Sequence, residues 1–91
     1  MAIISIIRQH NLDNKKARNE VQKLADKLAG ELSAEYSWRG DRLEFKRSGA
    51  DGFIELAHGK IFLEIKLGIL LTPLKGHIES TIHSYLDRNL C

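Results

Sequence analysis

The side chains able to do chemistry here are four histidines, a single cysteine, the serines and the glycine-bearing turns. His10 and His58 fall in turns, while His77 and His83 stand six residues apart in one helical stretch. Six residues turn a helix by about 600°, so those two imidazoles face different ways and do not easily grip one metal. Glu79 and His83 stand four apart and could share a ligand or a proton, but two ligands are too few for zinc. Solvated side chains are the simpler reading. Cys91, the last residue, has no positioned base to make it a nucleophile. Ser5, Ser33, Ser37, Ser48, Ser80 and Ser84 lie in no nucleophile-elbow pattern. Gly49 and Gly52 are not followed at once by a helix, so the geometry of a phosphate cradle is missing. The residues therefore predict no catalytic site, no metal and no cofactor, and the chain reads as a non-enzyme.

The elements that would position these groups are legible from periodicity. Ninety-one residues suit one domain, 1–91, with 43% hydrophobic and 29% charged residues, as expected of a folded chain. Ile3 to Arg8 is β-branched and apolar on both faces, which predicts a strand that is central in a sheet or covered by a partner. Asp13 is placed to cap a helix from Asn14 to about Leu32, with Leu12 and Ala17 as a hydrophobic staple. Its stripe is Ala17, Val21, Leu24, Ala25, Leu28, Ala29 and Leu32, and its solvated face carries the pairs Glu20–Lys23 and Lys27–Glu31. Two-residue turns at Gly40-Asp41 and His58-Gly59 fix two hairpin registers. Trp38 then opposes Leu43, Tyr36 opposes Phe45, Glu35 opposes Lys46, Leu56 opposes Ile61 and Ile54 opposes Leu63. Arg47 to Gly52 has turn chemistry and is expected to link the hairpins.

From Lys60 the chain alternates through Ile61, Leu63, Ile65 and Leu67, then takes helical spacing at Leu74, Ile78, Ile82, Leu86 and Leu90. Thr72 could cap that helix, with Pro73 at its first helical position. The predicted fold is a single α+β domain, β-α-β-β-β-β-α, a mostly antiparallel sheet with two helices packed on one face. No internal repeat or linker divides it.

Charge and hydropathy narrow the partners. A net charge of +2 from 14 basic and 12 acidic residues, without a dense basic run, disfavours nucleic acid. Arg39, Arg42, Lys46 and Arg47 do cluster near Tyr36 and Trp38, yet the register sends the aromatics inward, away from stacking. The apolar start from Met1 to Ile7 is short and interrupted by Arg8, unlike a signal peptide, and no run is long enough to span a membrane. A cytoplasmic location is expected. Two apolar features are left over. Ile69, Leu70, Leu71 and Leu74 crowd one corner, either plugging the end of the sheet or forming an exposed interface. Phe53 and Phe62 fall on the otherwise polar face of the hairpins, a second sticky patch suited to a homodimer.

Met1 through Leu12, the helix bearing Lys16-Ala17-Arg18, and Tyr36-Ser37-Trp38-Arg39-Gly40-Asp41-Arg42-Leu43-Glu44-Phe45 together resemble the polyhydroxyalkanoate granule region family. The likeness continues through Arg47 to Gly52, Glu64 to Leu71, and Leu74-Lys75-Gly76-His77-Ile78-Glu79, nearly the whole chain. The resemblance implies an accessory or regulatory role at intracellular polyester storage granules, with the granule surface or a granule protein as partner. It brings no catalytic residues with it. The closing strand and helix are also similar to the helix-grip lipid-binding arrangement, which gives an alternative: a small hydrophobic ligand held near Trp38, Phe45 and Leu63.

Overall fold

Period-two runs become strands and period-3.6 runs become helices, in the expected order. The computed structural model describes residues 2–89 and contains β1 (Ala2–Gln9), α1 (Asn14–Leu32), β2 (Glu35–Arg39), β3 (Arg42–Arg47), β4 (Ala50–Ala57) and β5 (Lys60–Leu67). A 3-10 helix, Ile69–Leu74, then runs directly into α2 (Lys75–Asn89). Leu90 of the helical stripe and Cys91 lie outside the described residues.

The five strands form one antiparallel sheet in the order β1-β5-β4-β3-β2. Both predicted hairpin registers are present, including Trp38 opposite Leu43 and Ile54 opposite Leu63. The link between them is shorter than expected. Only Ser48 and Gly49 turn, with Gly49 at φ 87°, while Ala50, Asp51 and Gly52 already pair with Arg47, Lys46 and Phe45. Strands β2 to β5 are thus a continuous meander. The central position allowed for the first strand is also overturned: β1 is an edge strand, paired only with β5.

Both helices lie on the inner face of the sheet, α1 over β2, β3 and β4 and α2 over β1. Asp13 caps α1 by accepting the Lys16 amide hydrogen at 2.8 Å, as its carboxylate suits. The stripe Val21, Leu24, Leu28 and Leu32 lies in one buried cluster with Leu43, Ile54, Leu63 and Ile65 of the sheet, and Ile78, Ile82 and Leu86 complete it from α2. Every one of those residues is buried, and burying such a side chain stabilises by about 1.5–3 kcal/mol. This core accounts for the placement of the helices. It leaves the outer face and the corner after β5 as the surfaces to search.

Candidate functional site

The corner begins where Gly68 meets the Ser48-Gly49 turn. The Gly68 amide donates to the Gly49 carbonyl at 2.7 Å, and a Cβ on Gly68 would stand 3.0 Å from that oxygen. The Gly68 carbonyl in turn accepts from the Leu71 amide at 3.0 Å and from the Thr72 hydroxyl at 3.1 Å. Thr72 therefore braces the 3-10 turn and does not cap α2 as expected, because the helical path already starts at Ile69. In a 3-10 helix residues three apart share an edge. Leu71 and Leu74 share such an edge, yet only Leu71 packs on the core, while Leu74 is 36% exposed. Ile69 and Leu70 are left at 81% and 92% exposure. The crowded corner is both things the sequence allowed: Leu71 plugs, and Ile69 and Leu70 project.

Phe53 and Phe62 stand where the register puts them, on the outer face and half-buried. Phe53 opposes Glu64, which makes it a diagonal neighbour of Phe62, and Phe62 opposes Ile7 across β1. The Arg42 guanidinium lies 3.8 Å from the Phe53 ring centre, shielding it from water. The pair is thus brought together with Ile7 but kept apart from the corner, which lies past the end of β5. What sequence reasoning left unassigned is the outer row of β1. Ile3 and Ile7 are 49% and 62% exposed while Ile4 and Ile6 are buried. Their signal was present in the double-sided apolarity of the strand.

The polar clusters tie elements together. Gln22 accepts from the Trp38 indole at 2.7 Å and donates to the Tyr36 hydroxyl at 2.5 Å, and Tyr36 donates to Asp26. Arg18 stacks 3.9 Å over the Trp38 ring and donates to the Gly40 carbonyl at 2.9 Å. Tyr85 of α2 donates to Glu20 of α1 at 2.9 Å, joining the helices. Two histidines also serve as ties. The His83 Nδ1 lies 2.8 Å from the Arg8 guanidinium, which also bridges Asp87 at 2.6 Å, and His77 meets Glu31 at 3.3 Å. Glu31 thus turns to α2, whereas Glu20 and Lys23 pair as the sequence suggested, at 3.6 Å. Among the described residues no three His, Cys, Asp or Glu groups converge as metal ligands.

Both tyrosines hold their protons unusually tightly. Hydrogen bonding to Asp26 raises Tyr36 above the ordinary phenol value, and partial burial beside Glu20 pushes Tyr85 up to about 12. The folded state binds these protons more strongly than the unfolded chain. The Tyr85 contribution is therefore complete below the ordinary value of about 10 and is lost as pH rises from there through about 12. Near-ultraviolet absorbance should show phenolate appearing at clearly higher pH in the native protein than in urea. Superimposed titrations would contradict this geometry.

Three of the four basic residues of the hairpin, Arg39, Arg42 and Arg47, are engaged within the protein. Arg39 and Arg42 lie 3.3 and 3.4 Å from Glu44, Arg42 lies 3.3 Å from Glu55, and Arg47 donates to the Leu32 carbonyl at 2.6 Å, closing the C-terminal end of α1. With Arg18 on one face of Trp38, little is left to stack on a base. Near Trp38, Phe45 and Leu63, where a ligand could have been held, Phe45 and Leu63 belong to the continuous buried cluster and Trp38 packs against it. Two open hollows lie elsewhere, one on the outer face around Arg42, Glu44 and Phe53, the other between α1 and α2 around Lys27, Thr81 and Arg88. No helix among the described residues is long and apolar enough to cross a membrane.

Residues 4–90 match a family model described as "putative polyhydroxyalkanoic acid system protein". No curated protein and no solved structure matches the chain.

Proposed function

The chain belongs to the polyhydroxyalkanoic acid system protein family, and from that premise we propose that it is a non-enzymatic accessory protein of storage-polyester granules. It acts by binding the granule surface, or a protein on that surface, through Ile69 and Leu70. The observation that carries this reading is the exposure of two large aliphatic side chains side by side on a braced turn. Soluble proteins rarely leave such groups together in water without a partner, and a polyester surface is a fitting one. Rigidity adds to the case. Gly68, Thr72 and the Ser48-Gly49 turn hold the corner before any partner arrives, which lowers the entropy cost of docking.

The non-enzymatic part is supported by how the polar side chains are used. Arg8, Gln22, Glu31, Tyr36 and Tyr85 each join one secondary element to another, and the side chains left in need of a role are exposed aliphatic ones, Ile69 and Leu70 the most exposed of them. The reading places the protein in the cytoplasm, at granules. Fractionation of polymer-accumulating cells tests it: the protein should sediment with granules and stay soluble in cells that make no polymer. A protein equally soluble in both, and retained by no granule protein, would overturn the proposal.

A further inference from the structure

We propose that β1 pairs, edge to edge and antiparallel, with β1 of a second copy of this chain, joining two five-stranded sheets into one of ten strands. The inference does not rest on the granule reading. The backbone supplies the first argument. The His10 amide donates to the Gly59 carbonyl at 3.0 Å, so the even-numbered residues of β1 turn their amide and carbonyl groups toward β5. Those of Ile3, Ser5, Ile7 and Gln9 consequently point away from the sheet. Eight consecutive pairs with β5 run without a bulge, and Ala2–Gln9 contains neither proline nor lysine, the usual guards of an edge. Arg8, its one charged residue, is turned to Asp87 and His83 of its own chain.

The side chains choose the partner. A two-fold axis at Ser5 places Ile3 opposite the second copy's Ile7, and Ile7 opposite its Ile3. Both pairs lie on the outer face, where the two isoleucines are now 49% and 62% exposed. The same register turns the outward amides and carbonyls of Ile3, Ser5 and Ile7 onto one another. It also brings no like charges together, because the outer row Ile3, Ser5, Ile7 and Gln9 is uncharged. A self-complementary strand of this kind is fitted to its own copy. The opposite edge offers no equivalent: β2 is five residues long and carries exposed Glu35 and Arg39 at its ends.

Sedimentation equilibrium tests the pairing. The wild-type chain should sediment at twice its 10.3 kDa mass. Ile7→Glu should raise the dissociation constant of the dimer at least roughly tenfold. Adding Ile3→Lys to Ile7→Glu should restore the dimer, since the two new charges then face each other across the axis. Circular dichroism should be the same for all three proteins, because both positions face outward. Amide exchange gives an independent readout, with Ile3, Ser5 and Ile7 protected in the wild type and unprotected in Ile7→Glu. A monomeric wild type, a dimer indifferent to Ile7→Glu, or no rescue by the double substitution would each overturn the proposal.

Discussion

Replacing Ile69 and Leu70 together by serine is expected to weaken adsorption to polyester particles by roughly thirty-fold and to leave the fold intact. A fully buried isoleucine or leucine contributes about 1.5–3 kcal/mol. A flat surface covers only part of each side chain, so about 1 kcal/mol apiece is reasonable, and about 2 kcal/mol is some thirty-fold in affinity. Stability should barely change, since both side chains already stand in water in the folded protein. Surface substitutions of this type stay within about 0.5 kcal/mol, or a few degrees in melting temperature. Leu71→Ser is the contrasting variant. Leu71 packs on the core beside Gly49, so its loss should lower the melting temperature as well as disturb the corner. Co-sedimentation with purified particles, read beside thermal melts, separates the two effects. Undiminished adsorption of the double variant would remove the corner from the mechanism.

How far the corner could be read from sequence depended on one local choice. Four aliphatics in six residues signal crowding, but which of them project depends on whether the turn has period 3.6 or 3.0. Pro73 lacks the amide hydrogen for an α-helical bond to Ile69, and the Thr72 hydroxyl closes back on Gly68, so the tighter period holds. The hairpin registers were easier, because a two-residue turn leaves a single pairing that keeps one face apolar. The lateral place of β1 was not legible. Isoleucines on both faces suit a buried central strand and an edge strand alike. Only the pairing of Ala2–Gln9 with β5 places β1 at the edge. The Trp38–Gln22 and Arg18–Trp38 contacts likewise join residues that share no sequence pattern, since α1 reaches β2 only once the sheet has formed.

Gly52 is where the sequence misled most, and its substitution should cost the fold most. Glycine within Ser48-Gly49-Ala50-Asp51-Gly52 reads as a turn, yet Gly52 is a strand residue paired with Phe45 and Ile65. Its φ is not in the left-handed region, so conformational freedom does not explain it. Space does. A Cβ there would stand 2.4 Å from the Glu64 carbonyl oxygen and 2.8 Å from the Ile65 Cα. Both are backbone atoms that cannot swing aside, so relief requires β4 and β5 to move apart. Overpacking usually costs about 1–3 kcal/mol, and a clash with backbone belongs at or above the top of that range. A chain of this length has only about 5–14 kcal/mol in total. Gly52→Ala should therefore lower the melting temperature by about 12 °C or more. Gly30→Ala should act in the opposite direction, because nothing lies within 4 Å of a Cβ there and alanine favours the interior of α1 by about 0.5–1 kcal/mol. Opposite signs for one substitution type, read by thermal circular dichroism, would locate the cause in packing between β4 and β5. Equal melts for Gly52→Ala and wild type would show that the two strands do not approach as closely as described.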